Sequence, residues 1–579
     1  MEAARTVFGL GTLSYLHQAP LFLKTSQSLF PRPSLSLKPM KHDFVCVKAT
    51  TKSSTSDDLE SGHPLILFSP SIWGDYFLSV SVDDSELDDI AREIESVMKP
   101  YVRDRLISSH NSNKDKIHLI HLLMSLGISY YFESDIEMIL NQDFEELDMI
   151  IAKEDDLETI SIMFEVFRLY QHKMSCDSLV RFKGEDGRLK ESLVGDVRGM
   201  LQLYQASHLG TPSDQYIMEE AKSFTRNHLE FLVESTTIPP HLSSHIRDAL
   251  YIDRYHNMEI LVQREYISFY EQEEGHDLTL LKFAKLSFNY CRIHYIQELK
   301  TLTKYANHHI ILLLPYMRDR IVETYFPTLG LYFEPRFSLG RIIIAKMIII
   351  VVSLNDVCDS YATYPEAKSL IDSLQTYYYM HPVIIRLCLV DLFINYFIIF
   401  LKTLILSRTE NNIFIRNGNI GQVGYTKSLG RAYLALSKWA SEGYMPTFDE
   451  YMDVGEVTGG MDGFALYNFI AMEDCDEKPL YREMRKGEVV NGVNSYMNQH
   501  GVTKEEAVEE LRKMARDNYK IVMEELLTIT DVPRPVLVRC LNLARLFDVF
   551  CKNSNDEFTY PHGNLKDLIT SIFIHPIPV

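Results

Sequence analysis

The sequence predicts an all-α chain, and three observations carry the prediction. Apolar residues recur at three- and four-residue spacing, as in Ile117, Ile120 and Leu123, followed by Leu126 and Ile128. No long stretch alternates apolar and polar residues in the manner of a strand. Gly and Pro are sparse inside the periodic segments and gather at breaks, such as Asp186-Gly187-Arg188, Gly210-Thr211-Pro212 and Pro239-Pro240. At 579 residues the chain is too long for one ordinary core, so two or more domains are expected.

Residues 1–50 differ in composition from the rest of the chain. Arg5, Lys24, Arg32, Lys38, Lys41 and Lys48 are set against only Glu2 and Asp43, among several Ser and Leu. A basic, Ser-rich, acid-poor start is the composition of an organelle transit peptide. Residues 51–63 turn polar and acidic, as a linker would. From His63 onward the helical rhythm sets in, and Asp135 to Tyr170 alternates acidic and apolar clusters in the same period. Two later stretches are apolar enough to raise a membrane question. Ile342 to Leu354 is short and holds Lys346; Val383 to Leu406 holds Arg386, Asp391, Asn395 and Lys402. A spanning helix wants about 18 or more residues with few or no charges, so both are expected to be buried bundle helices and no span is predicted.

The net charge of −21 argues against a nucleic-acid binder, which would need a basic face, and no nucleic-acid partner is expected. The eight Cys show no zinc spacing and are mostly flanked by apolar residues, so reduced, packed thiols are expected.

Candidate chemistry gathers between Arg318 and Thr363. Arg318-Asp319-Arg320 offers two guanidinium forks, which match phosphate oxygens in a bidentate manner. The apolar run from Ile342 ends in Asn355-Asp356-Val357-Cys358-Asp359. On a helix, Asn355, Asp356 and Asp359 share one face. Hard oxygen donors at a helix end suit Mg²⁺ or Mn²⁺ bridged by a substrate phosphate.

These residues resemble a known family, the plant class I terpene synthases, over nearly all of the chain after residue 62. His63-Pro64-Leu65 with Pro70-Ser71-Ile72-Trp73-Gly74-Asp75 looks like its N-terminal signature. Leu126-Gly127-Ile128 and Asp196 to Tyr204 resemble stretches of its N-terminal domain. Arg318-Asp319-Arg320 is similar to its RxR element, Tyr332-Phe333-Glu334-Pro335 to a neighbouring block, and Asn355 to Asp359 to its DDxxD motif. Glu450-Tyr451-Met452, His500-Gly501-Val502 and Pro533 to Leu537 extend the match. Absence of a paired-arginine and tryptophan element near the start makes it look like the subfamily rich in sesquiterpene synthases.

The resemblance implies an α-barrel-like N-terminal helical domain at 64–270, catalytically silent in the family. It also implies a class I terpenoid synthase bundle at 271–579. The implied reaction is metal-triggered ionisation and cyclisation of a C10 to C25 prenyl diphosphate with loss of diphosphate. Arg318 and Arg320 would be the catalytic arginines that hold the diphosphate. Asn355, Asp356, Asp359 and Glu483 would face Mg²⁺ or Mn²⁺, and residues 556–560 would belong to a lid. A monomer is expected, in the plastid, with the cytoplasm as the alternative.

The chain also departs from the pattern. Asn355 replaces the first Asp of DDxxD. In the second metal motif Cys475 and Pro479 stand where a ligand and a hydroxyl belong, and Glu483 alone remains. The chain is shorter than the family between Tyr451 and Tyr496, and Tyr377 to Asn417 is apolar where the family is charged. The alternative expectation is therefore a catalytically inactive relative or a faulty gene model. A chain-elongating prenyl transferase is disfavoured, since no second DDxxD occurs.

Overall fold

The computed structural model describes residues 69–108, 110–235, 237–306, 318–358, 362–376, 413–458, 492–530, 532–551, 558 and 561–579. The expected transit peptide and linker, the 383–406 stretch, Asp359, Glu483 and the lid residues other than Phe558 lie outside them. Among the described residues the chain is helical, and its only extended pairing is an isolated bridge between Lys183 and Leu189. The all-α expectation holds.

Local chemistry sets the helix ends. In the helix Asn113–Ser125, Ser112 and Asp115 form a reciprocal capping box that satisfies two backbone donors at its start. It stops at Gly127, at φ +64°, where the amides of Gly127 and Ile128 turn back to the Met124 and Leu123 carbonyls. A Cβ at Gly127 would lie 2.6 Å from Gln263 Cδ, so the site wants glycine for space as well as for φ. Thr503 and Glu506 cap the helix Lys504–Thr528 in the same reciprocal way.

Apolar faces of the two halves merge in one core. Ile160, Phe164 and Phe167 from the helix Leu157–Leu169 belong to the same buried cluster as Leu299, Ile344 and Leu546 of the C-terminal half. The helix Ser338–Asp356 runs through that core. By length and composition it could cross a membrane, yet most of its residues are buried inside the protein, as expected for a bundle helix.

Polar bonds fix the two halves against each other. Arg534 donates to the Leu169 carbonyl at 3.0 Å and lies over the Tyr170 ring. Arg545 reaches Glu259 at 2.7 Å, and Tyr519 donates to the Tyr255 carbonyl at 2.8 Å. Next to this seam the His256 imidazole bonds Asp253 at 2.8 Å and packs on Tyr519, with ring centroids 4.2 Å apart. Burial alone would push the His256 pKa down. The Asp253 carboxylate outweighs it, with help from Asp548 and against Lys222, so the pKa is raised.

A raised pKa ties the charged ring to stability at low pH. The charged ring stabilises the fold fully below the unfolded pKa of ~6.5, and the contribution is lost as pH rises through the raised folded value. His256→Gln is expected to lower the thermal midpoint at pH 6 and to cost less at pH 9. An equal loss at both would rule out the charged ring as the source.

Candidate active site

The site forms where the segment after residue 317 meets the end of the helix Ser338–Asp356. Arg318 donates its backbone N–H to Asp356 Oδ2 at 3.0 Å, and its guanidinium lies 2.5 Å from Asp356 Oδ1. The same guanidinium donates to Asn355 Oδ1 at 3.0 Å. Arg318, Asn355 and Asp356 are all buried, Asp356 completely. The acidic end of this helix is therefore interior, where each charge must be paired. Phe558 stands 5.8 Å from the Arg318 guanidinium, which brings one residue of the expected lid segment to the site.

Arg320 is buried as well, but its described bonds run elsewhere. It donates to the Ser69 carbonyl at 3.0 Å and to the Asp319 carbonyl at 2.7 Å. Burial pushes its pKa down, against the pull of Glu323 and Asp319. Three residues along, the buried Glu323 accepts from Trp73 Nε1 at 2.8 Å. The residues from Ser69 to Trp73 thus lie against the start of the helix Ile321–Leu331, behind the arginines. Sequence reasoning missed both contacts, although Trp73 belongs to the N-terminal signature that carries the family resemblance.

Two buried ion pairs support this corner. Arg341 meets Glu298 at 2.6 Å and also donates to the Tyr332 and Glu334 carbonyls. Tyr325 completes Glu298 at 2.7 Å. Arg539 meets Glu334 at 2.5 Å and lies over the Tyr332 ring. Burial would raise the Glu334 pKa, but the Arg539 charge outweighs it and holds the carboxyl below its usual range.

In donor chemistry Asn355 and Asp356 fit a hard divalent cation, since both offer oxygen. In charge they supply one carboxylate, and Arg318 stands against both side chains. Asp359 and Glu483 lie outside the described residues. Among the described residues, three potential ligand atoms come within 4.8 Å of one another at His208, Asp253 and His256. There the Lys222 ammonium already lies 3.2 Å from His208 Nδ1, so that group reads as part of the domain seam.

Fold and site together define an all-α, two-domain protein with a buried arginine joined to a helix-end carboxylate. Solved structures share this fold. Isoprene synthase from grey poplar (Populus x canescens) matches with a TM-score of 0.73 at 22% identity, covering 88% of this chain and 98% of that one. A limonene synthase complex with 2-fluorolinalyl diphosphate matches with a TM-score of 0.76 at 19% identity, covering 88% and 99%.

The profile described as "Terpene synthase, N-terminal domain" matches residues 72–250. That described as "Terpene synthase family, metal binding domain" matches residues 310–482 and 478–521. Terpenoid synthase 30 of Arabidopsis thaliana is 82% identical over 612 positions, with all of both chains covered. Alpha-barbatene synthase of the same species is 40% identical over 556 positions, covering 90% of this chain and 98% of that one. The chain belongs to the terpene synthase family. The 612-position alignment is longer than this 579-residue chain, so the chain carries gaps against that relative.

Proposed function

We propose that the chain ionises and cyclises a prenyl diphosphate, releasing diphosphate, with Mg²⁺ or Mn²⁺. The observation that carries the reading is the buried Arg318 guanidinium held between Asn355 and Asp356. Support also comes from a grey poplar isoprene synthase of this fold, solved with three Mg²⁺ ions and dimethylallyl-S-thiolodiphosphate.

Asn355 and Asp356, with Asp359 and Glu483, would hold the metal. When bound, it would supply positive charge to the departing diphosphate. Arg318 would be the main anion-binding group from this chain. Its planar fork suits two phosphate oxygens, and its backbone N–H on Asp356 would keep it in place while the guanidinium exchanged its bonds to Asn355 and Asp356 for substrate. Arg320 would add a second fork only by giving up its bonds to the Ser69 and Asp319 carbonyls. The apolar helix leading to the acid end keeps water from a cationic intermediate.

The test is incubation of residues 51–579 with Mg²⁺ and each C10 to C25 prenyl diphosphate, with hydrocarbon products analysed. Product from at least one substrate is expected. No product from any of them would overturn the reading.

A second reading, an inactive relative, is favoured by one observation. Arg318 already neutralises the single carboxylate described here, and Asn355 adds no charge. It expects weak Mg²⁺-dependent diphosphate binding and no turnover.

We further propose a plastid address in residues 1–50. Fused to a fluorescent protein, they should carry it into plastids; purely cytosolic fluorescence would refute the address.

A further inference from the structure

The N-terminal half holds a cleft of about 1070 Å³, none of whose lining residues belongs to the candidate active site. Its size lies at the upper end of small-molecule sites, roughly 300–1,000 Å³. It opens among the helices Lys99–Ile107, Asn113–Ser125, Leu157–Leu169, Val197–Ser207, Pro240–Tyr251 and Glu259–Tyr270.

Charge in the cleft is unevenly spent. Its basic side chains already face carboxylates: Arg105 faces Asp277, Lys114 lies 2.7 Å from Glu154, and Arg198 lies 2.5 Å from Glu273. Arg254 lies 3.8 Å from the fully buried Glu165. Two acids on the wall, Glu158 and Asp104, have no hydrogen bond or ion pair among the described residues. The imidazole of His245 adds no positive charge, because burial pushes its pKa down to about 4.

The same cleft is lined by a wall of rings. His245 stacks on Phe269 with centroids 4.2 Å apart and planes 17° apart, and Tyr266 packs against both. Glu158 lines the same cleft, half-buried and close enough to act electrostatically on Tyr266, and burial raises its pKa against the pull of Arg198. A half-buried carboxylate whose nearby cation, Arg198, is already paired with Glu273 is costly to ionise, and aromatic faces attract cations directly.

We propose that the cleft binds an organic ammonium ion, with its charge against Glu158 and its apolar body on Tyr266 and Phe269. An anionic ligand is disfavoured because the cations lining the cleft are already paired. The proposal does not depend on the prenyl diphosphate reading.

The test is calorimetry on residues 51–579 with benzyltrimethylammonium and, separately, benzoate. The ammonium should bind with a Kd below about 1 mM and benzoate should not, a preference set by ring faces and charge. Glu158→Gln should weaken the ammonium by about tenfold with far-UV dichroism unchanged, and Phe269→Leu should weaken it too, with far-UV dichroism showing that the helices persist. Binding should fade at acid pH as Glu158 takes up its proton.

Because an ammonium also mimics a carbocation, Asp356→Asn serves as a second control and should leave binding intact. The proposal is overturned if neither probe binds, if benzoate binds as well as the ammonium, or if Glu158→Gln has no effect. It is equally overturned if Asp356→Asn abolishes binding.

Discussion

Replacing Glu298 by Leu is expected to destabilise the C-terminal half by roughly 3–5 kcal/mol, the usual cost of leaving a buried charge without its partner. Arg341 is fully buried and holds three helices together. It bonds Glu298 on the helix Leu278–Ala306, while Tyr325 on the helix Ile321–Leu331 bonds the same carboxylate. The double change Glu298→Leu with Arg341→Met should recover much of the loss, because an apolar pair of similar volume removes the stranded charge. Recovery will be partial, since Arg341 also satisfies the Tyr332 and Glu334 carbonyls. The measurement is the urea midpoint of each variant. A single-variant loss below about 1 kcal/mol would show the pair to be more solvated than its burial indicates.

Asp356→Asn is expected to lower turnover by roughly 10²–10³-fold. A unit charge ~4 Å from a cation is worth about 4 kcal/mol at an effective dielectric of about 20, and each 1.4 kcal/mol is tenfold. Asn355→Asp should act in the opposite sense, lowering the Mg²⁺ concentration needed for half-maximal effect by about tenfold or more. Calorimetric titration of Mg²⁺ with inorganic diphosphate reads the same order without relying on turnover. If Asp356→Asn changes neither turnover nor Mg²⁺-dependent diphosphate binding, the residue holds Arg318 and nothing else.

The helical class could be read from spacing because amphipathic periodicity is local. Arg318, Asn355 and Asp356 could be singled out as candidates for a related reason, since each lies in a short motif of fixed composition, but their direct contact was not expected. What escaped the sequence lies in long-range pairings. Glu298 and Arg341 are 43 residues apart, Glu334 and Arg539 are 205 apart, and Trp73 and Glu323 are 250 apart. A charged residue on an apolar helix, such as Arg341, looks from its neighbours like a surface position. Only the packed helices supply the partner that lets it be buried. The two arginines of Arg318-Asp319-Arg320 also looked equivalent. The structure directs Arg318 to the acid end and bonds Arg320 to the Ser69 carbonyl. The cleft of the N-terminal half left no sequence signal, because its walls come from six helices.

The hold of Ser69 and Trp73 on Arg320 and Glu323 sets a limit on trimming. A protease cut that removes an N-terminal leader leaves the arginine corner intact only if it falls before Ser69. A cut past Trp73 takes an acceptor from a buried guanidinium and a donor from a buried carboxylate at one stroke. If the leader proposed for residues 1–50 is removed, a product that keeps the arginine corner in order must begin at or before residue 69, and mass spectrometry of the purified chain would read that limit directly.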